Sequence, residues 1–239
     1  MLDYLFDIKD APYNDNFQMG VVLSIDITHG NQRHCGLAFN LLDEEKDVLH
    51  LATHLSLLHA SNLDDFNVII KPSLSQIQQE AFMPFLDVLS QRVDDGECAV
   101  PYGFRYEEYA DYDQNNNLVL GTRSSGLTCA TYVMTLFHHL GINLFDLEKW
   151  DAREDDEKWE NSIKQLCKRF KVRIGVPKEH LEKLKNEIGC ARFRPEEVAA
   201  SSALYDNGAA SPEEIRSEGA LIVEYLIHEY SFSSLSNKK

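Results

Sequence analysis

The sequence predicts an α+β fold in which the strands come first and the helices follow. Runs with the alternating or continuous apolar pattern of strands are confined to residues 21–71. Apolar residues spaced three and four apart, which are typical of helices, begin near residue 73 and recur to residue 228. No proline- or glycine-rich linker separates the two halves, so we expect residues 1–239 to form a single domain with a helical C-terminal part.

Four stretches in the first half have the pattern of β-strands. The second and third flank the charged segment 43–46, which indicates a hairpin. Pro72 ends the fourth, because proline has no N–H to donate to a strand ladder. The predicted strands are Val21–Ile27, His34–Leu42, Asp47–His54 and Val68–Lys71.

Helical patterns dominate the rest of the chain. The first, Ser73–Gln91, contains Pro84, which predicts a kink or a break. The polar and aromatic stretch 94–117 is expected to be a long loop. A frayed tail is expected beyond residue 230. A further helix is predicted to begin at residue 129. Four more are predicted to span Glu154–Phe170, Lys178–Ile188, Pro195–Ala203 and Pro212–His228.

Charge and hydropathy argue against two classes of partner. The chain has 39 acidic and 23 basic residues, a net charge of −16. Nucleic acids and anionic membranes attract basic surfaces, so neither is expected as a partner. No apolar run reaches the roughly 18 residues that a membrane span needs. The acidic N-terminal segment lacks the features of a signal peptide, so we expect a cytoplasmic location. Export by a secretion system that is independent of signal peptides is the alternative.

The five cysteines predict free thiols rather than a structural framework. Their odd number and irregular spacing do not fit paired disulfides or a zinc site, and no cofactor or metal is expected. A metal site built from His34, Cys35 and His50 is disfavoured, because Cys35 points to the opposite face of its strand.

Cys129 is distinguished by its position in the sequence. It follows a Ser-Ser-Gly loop and begins an apolar stripe that continues through Leu140 to a stop at Gly141. The N-terminus of a helix stabilises a thiolate, and the free N–H groups of its first turn can bind an oxyanion. The alternative is that Cys129 is an ordinary buried apolar side chain.

A thiol nucleophile needs a base and a group that orients the base. His34 opens a predicted strand and shares one face with Gly36 and Ala38, whose small size leaves room for a helix end. His50 lies on the next predicted strand, with His54 four residues further along on the same face. Alternatively, these residues are ordinary strand histidines.

Three segments, RHCGLAF, VLHLA and GLTCATYV, resemble the circularly permuted branch of the NlpC/P60-type, papain-like cysteine hydrolases, which includes the lecithin–retinol acyltransferase-like enzymes. The resemblance covers about residues 20–140. It implies a papain-like antiparallel sheet packed on the helix that carries the nucleophile. It also implies Cys129 as the nucleophile, His34 as the base and His50 as the orienting residue.

The spacing of the histidines leaves an alternative for the orienting residue. If the hairpin turn is centred near Glu44, antiparallel pairing places His34 opposite His54. A bulge or a longer loop would restore His50.

The resemblance implies a cysteine-dependent hydrolase or acyltransferase that attacks an amide, peptide or ester bond and forms a thioester on Cys129. The catalytic core would then lie at about residues 18–145 and a helical extension at about 146–232. A papain-like module that binds a partner without turnover is the alternative. The sequence does not indicate an oligomeric state.

Overall fold

The computed structural model describes residues 2–26, 31–43, 46–169 and 176–236. These residues form an α+β structure, as the sequence predicts, with a six-stranded antiparallel sheet and a separate two-stranded ribbon. The strands are β1 (Leu5–Asp7), β2 (Gly20–Asp26), β3 (Gln32–Phe39), β4 (Asp47–Thr53), β5 (Ser56–Ala60), β6 (Val68–Ile70), β7 (Asp111–Tyr112) and β8 (Leu118–Val119). The helices are α1 (Gln76–Asp94), α2 (Cys129–His139), α3 (Asp156–Arg169), α4 (Lys178–Asn186), α5 (Pro195–Leu204) and α6 (Pro212–Ser236), with a 3-10 turn at Leu147–Lys149.

The large sheet has the strand order β1-β6-β2-β3-β4-β5. The four predicted strands correspond to β2, β3, β4 and β6, whereas β1 and β5 were not predicted. β1 is too short to show a period of two. β5 follows a tight turn in which Leu55 has a φ of 60°, a conformation that sequence signals associate with glycine or asparagine.

The two faces of the sheet are covered in different ways. One face, which includes Leu37 and Leu49, packs against helices α2 and α5 in the main core. The opposite face, which includes Ala38, is covered by loop side chains such as Phe17 and Phe66. Because side chains alternate along a strand, β3 contributes to both layers.

Two helices continue where the sequence predicts a break or a frayed tail. Helix α1 runs through Pro84, so the predicted break is absent, and Ser75 caps its start through a capping box with Gln78. Helix α6 continues to Ser236, so the tail is helical up to that residue. No glycine or proline follows residue 219 to stop it. The hydroxyl of Tyr230 also donates to Asp7, which ties this helix to β1.

The predicted loop 94–117 contributes β7, which pairs with β8 in the two-stranded ribbon. Ile27, at the end of the first predicted strand, Phe170 and the last three residues of the predicted tail lie outside the described residues. Within the described ranges, every helix is too short or too polar to cross a membrane.

Candidate active site

Cys129 is the first residue of helix α2. Thr128 is the N-cap: its hydroxyl accepts from the N–H of Thr131, and the Thr131 hydroxyl accepts from the N–H of Thr128 at 2.8 Å. The N–H groups of Cys129 and Ala130 belong to the first turn, where the helix supplies no carbonyl partner. The thiol therefore lies beside two N–H donors and at the positive end of the helix dipole.

The loop before Cys129 is held by close backbone contact with a second loop. The N–H of Leu127 donates to Pro101 at 2.8 Å, and the N–H of Gly103 donates to Leu127 at 3.2 Å. A Cβ atom on Gly126 would overlap the Pro101 carbonyl. The glycine in the Ser-Ser-Gly sequence is thus required for the approach of the two chains.

A buried carboxylate from the C-terminal half joins the same two loops. Glu187 accepts from the N–H of Ser125 at 2.6 Å and from the N–H of Phe104 at 2.8 Å, and only 3% of its surface is exposed. This contact holds the start of α2 at a defined position.

The sheet opens next to Cys129. Pairing between β3 and β4 spans Leu37 opposite Leu49 to Phe39 opposite Asp47, and residues 32–36 pair only with β2. Leu23 directs its carbonyl towards Asn67, so the opposite residue, Cys35, directs its backbone groups to the side that β4 has left. The sulfur of Cys129 lies here and accepts hydrogen bonds from the thiol and the N–H of Cys35.

The sequence predicts that the helix end approaches His34 across the face of small residues, and this prediction is wrong. The small face of β3 does not receive the helix end, because a Cβ on Gly36 would meet the Cβ of His50. The helix instead packs on the face of Cys35. A cysteine at the start of a helix that covers the apolar face of β3 should meet the cysteine on that face, and this signal was present in the sequence.

His34 connects Cys129 to His50. Its ring hydrogen bonds to the Cys129 sulfur, and its Nε2 lies 2.8 Å from Nδ1 of His50. Phe66 supports both imidazoles, since it stacks on His34 at 6.0 Å between ring centroids and meets His50 edge-on at 5.5 Å. Because Nε2 of His34 is engaged, its Nδ1 is the atom left for the thiol.

The register explains why His50, and not His54, meets His34. Continued from Leu37 opposite Leu49, it places His50 opposite Gly36, one diagonal step from His34 on the same face. The predicted pairing of His34 with His54 is wrong by two residues. β3 ends at Phe39 rather than Leu42, and the next residue, Asn40, adopts a φ of 52°.

His54 belongs to a different contact. Its Nδ1 accepts from the N–H of Tyr102 at 3.1 Å, and its ring lies 4.2 Å from the ring of His180. Burial and the His180 charge lower its pKa to about 4.

The site favours a thiolate and an imidazolium. The hydrogen bond from Cys35 and the charge of His34 hold the pKa of Cys129 well below its usual range, despite burial. Burial acts to lower the pKa of His34, but the charge of the Cys129 thiolate outweighs it and the pKa is raised. Burial and the positive charge of His34 lower the pKa of His50 to about 4, so His50 is neutral at neutral pH.

These charges settle the direction of the hydrogen bonds. A neutral His50 can offer the lone pair of Nδ1, which then accepts from Nε2–H of His34. The second proton of the His34 imidazolium is on Nδ1 and faces the sulfur. By contrast, burial raises the pKa of the thiols of Cys35, Cys98 and Cys190.

A cavity of about 50 Å³ lies beside the thiol. It has room for a few water molecules or one small polar group. β3 and α2 form one side of it, and segments far along the chain form the other. Its lining includes Arg33, His34, Tyr102, Thr128, Cys129, Trp159, Arg192, Phe193 and Pro195.

Comparison with known proteins finds no matching family model, no similar curated protein and no similar solved structure. The functional reading of the site therefore depends on its own geometry and on the three short motifs.

The arrangement contains the groups that acyl transfer requires. It combines a thiolate, a protonated imidazole beside it, a neutral acceptor behind that imidazole and N–H donors from a helix start. Within the described residues, no three His, Cys, Asp or Glu side chains converge as metal ligands. Sequence reasoning missed Cys35 as a donor to the thiolate and missed the walls from Trp159 and Arg192, which no local motif marks.

Proposed function

We propose that this protein is a cysteine-dependent hydrolase or acyltransferase that acts on an amide, peptide or ester bond. The observation that carries the proposal is the hydrogen-bonded series His50, His34, Cys129, in which the sulfur lies at the first residue of a helix. The order of these groups along the chain, with both histidines before the cysteine, agrees with the permuted papain-like enzymes that the motifs resemble. The need for a reduced thiol fits a cytoplasmic location, which we propose with it.

The reaction would begin from the thiolate–imidazolium pair. The Cys129 sulfur attacks the substrate carbonyl, a C–S bond forms, and the carbonyl oxygen takes the negative charge. The N–H groups of Cys129 and Ala130 can donate to that oxygen. Collapse breaks the bond to the leaving group, which takes the proton from Nδ1 of His34, and leaves a thioester on Cys129.

The second half of the reaction uses His34 as a base. Water or another acceptor approaches the thioester, and the now neutral His34 takes its proton as the new bond forms. The C–S bond then breaks and the sulfur leaves as a thiolate beside the reprotonated imidazole. Water as the acceptor gives hydrolysis, and an amine or alcohol gives acyl transfer.

His50 would act on His34 rather than on the substrate. As a neutral acceptor it holds the plane of the His34 ring and keeps a proton on Nε2, so that Nδ1 serves the sulfur. It does not place a second negative charge in the site, as an aspartate would.

Selective alkylation tests the proposal without a known substrate. At pH 7, iodoacetamide should modify Cys129 ahead of the other four cysteines, because the pKa of Cys129 is lowered, whereas burial raises the pKa values of Cys35, Cys98 and Cys190. Peptide mapping of the modified chain gives the order. The competing thiols are Cys35, Cys98, Cys167 and Cys190.

The same assay in two histidine variants identifies the base. His34→Ala should slow modification of Cys129, whereas His54→Ala, which removes a histidine held by Tyr102, should leave it unchanged. Equal labelling of all five thiols, or an unchanged rate in His34→Ala, would refute the proposal.

A further inference from the structure

Arg192 lines the cavity beside Cys129, and its backbone is fixed from three sides. Its carbonyl accepts from Nε1 of Trp150 at 3.1 Å and from Arg153 at 2.8 Å, and its N–H donates to Asp156 at 3.3 Å. The guanidinium lies 3.7 Å from the centre of the Trp159 ring, which also lines the cavity. An arginine stacked on an aromatic ring keeps the edge of its planar fork available for hydrogen bonds.

The neighbouring arginines all have carboxylate partners. Arg33 binds both oxygens of Glu196 at 2.7 and 2.9 Å, and Arg194 binds Asp155 at 2.6 Å. Arg153 likewise forms an ion pair with Glu197. Across residues 2–26, 31–43, 46–169 and 176–236, no carboxylate forms an ion pair with Arg192, although the chain has a large excess of acids.

Arg192 nevertheless keeps its charge. Burial and the nearby Arg194 lower its pKa to about 10, which leaves the guanidinium positive at neutral pH. The guanidinium is partly buried, and its nearest acid, Glu196, is already paired with Arg33, so a ligand that supplies an opposite charge at Arg192 would be stabilised there.

We propose that Arg192, held flat against Trp159, binds a carboxylate of the substrate beside the carbonyl that Cys129 attacks. The acyl donor would then carry an acidic group at this position. A carboxylate fits because it is planar, small enough for a cavity of about 50 Å³, and able to accept two parallel hydrogen bonds from a guanidinium. This inference rests on the proposed function, since it concerns the substrate of the same thiol.

Two alkylating agents of nearly equal size and different charge test it on the full chain. Iodoacetate and iodoacetamide both form a C–S bond to the thiolate and release iodide, but only iodoacetate carries a carboxylate. The ratio of their rates at Cys129, divided by the ratio for free cysteine, should exceed one in the wild type. Arg192→Gln should lower the iodoacetate rate about tenfold, as expected for the loss of hydrogen bonds between charged groups. It should leave the iodoacetamide rate within about twofold.

Two further variants control this result. Arg123→Gln makes the same charge change at an exposed arginine that pairs with Glu107, and it should leave the rate ratio as in the wild type. Arg192→Lys keeps the charge but loses the fork, and it should give an intermediate ratio. The iodoacetamide rate reports in each variant that the site is intact.

A pair of peptide fluoromethyl ketones that end in aspartate or asparagine distinguishes the source of the carboxylate. Preference for the aspartyl reagent that disappears in Arg192→Gln assigns an acidic side chain in the acyl part. If only the iodoacetate rate depends on Arg192, the carboxylate that Arg192 binds is a main-chain carboxylate next to the scissile bond.

An unchanged rate ratio in Arg192→Gln would overturn the inference, as would an equal fall in both rates, which would mean that Arg192 acts on the thiolate. Both outcomes leave Cys129 more reactive than the other cysteines and sensitive to His34. Failure of the proposed function would instead remove that selectivity in the wild type.

Discussion

The two halves of the chain contribute different parts of the site. The start of α2 supplies the sulfur, and strands β3 and β4 supply the groups around it, namely Cys35, His34 and, behind His34, His50. The C-terminal half supplies walls and a cation, Trp159 and Arg192, which line the cavity without bonding to the sulfur. We therefore expect that the reactivity of the thiol and its preference among charged reagents can be changed by separate substitutions.

The two halves are nevertheless joined mechanically next to the thiol. Arg33, the neighbour of His34, forms its ion pair with Glu196 of α5, and Glu187 holds the loop before Cys129. Substitutions should therefore fall into three groups. They should alter reactivity, alter the preference for charged reagents, or loosen the attachment of one half to the other.

The largest effect is expected at the proposed nucleophile and base. Cys129→Ala and His34→Ala should each lower the hydrolysis of a small activated ester, such as p-nitrophenyl acetate, by about a thousandfold or more, because the residues of such a unit depend on one another. Trp159→Phe, a change in the wall, should retain most of the activity. Hydrolysis that persists in Cys129→Ala would contradict the assignment of reactivity to the first half of the chain.

Substitutions that weaken the contact between the two halves should have the largest effect on the free energy of unfolding. Arg33→Met leaves the carboxylate of Glu196 buried without its partner and should lower the free energy of unfolding by about 3–5 kcal/mol. Urea denaturation measures this loss. The matched change Arg123→Met, at an exposed ion pair, should cost less than about 1 kcal/mol. Equal costs would mean that the Arg33 pair does not hold α5 to the sheet.

The proposed orienting residue, His50, should have a smaller effect on reactivity than the proposed base, His34. His50→Ala should reduce ester hydrolysis by about tenfold to a hundredfold, because His34 loses the acceptor that fixes its ring while the thiol remains. His54→Ala should change it by less than about twofold. A larger loss in His54→Ala than in His50→Ala would contradict the observed register.

The pH dependence of alkylation should separate the thiol from an ordinary one. Because the pKa of Cys129 is lowered, the rate of labelling by iodoacetamide should be close to its plateau at pH 7, while that of glutathione still rises towards pH 9. In the proposed mechanism, turnover needs the protonated His34, whose pKa is raised above 6.5, so activity should fall again as the pH rises through this raised pKa. Labelling of Cys129 that rises in parallel with glutathione would argue against the thiolate.

Protonation of His50 and His54 should lower the free energy of unfolding at low pH. The folded pKa values of His50 and His54 are about 4, below the 6.5 of the unfolded chain. The unfolded state therefore binds more protons between these values, and the free energy of unfolding should fall as the pH falls from 6.5 to 4. The fall should be shallower in His54→Gln, as measured by urea denaturation at several pH values. A slope that is the same in the variant would show that His54 is not buried as a neutral ring.

The smallest effect is expected at the second thiol. Cys35→Ala removes one donor to the Cys129 thiolate, so the pKa of Cys129 should rise and labelling at pH 6 should slow by about twofold to fivefold. At pH 9 the rates of variant and wild type should converge, because the thiol is ionised in both. A slower rate at both pH values would instead indicate that the site had collapsed into the space left by the Cys35 side chain.

Several features of this protein follow from local sequence alone. The alternation of residues around His34 and the 3.6-residue stripe from Cys129 to Leu140 predict a strand and a helix, and both are present. Such patterns depend on which side chains can face a core within one element, and neighbouring residues decide that. For the same reason, the position of Cys129 at a helix start could be inferred before any fold was known.

Other features were decided only when distant segments met. The early end of β3 at Phe39 set the register that brings His50, rather than His54, to His34. Local patterns could not show this, because a shift of two residues keeps every side chain on its face. Arg192 lies 63 positions after Cys129 and reaches the same cavity through contacts with Trp150, Arg153 and Asp156. The sequence by itself thus determined the elements that carry the thiol and the imidazoles. The tertiary structure alone decided which groups surround them, because the energy of those contacts depends on residues that the chain brings together only on folding.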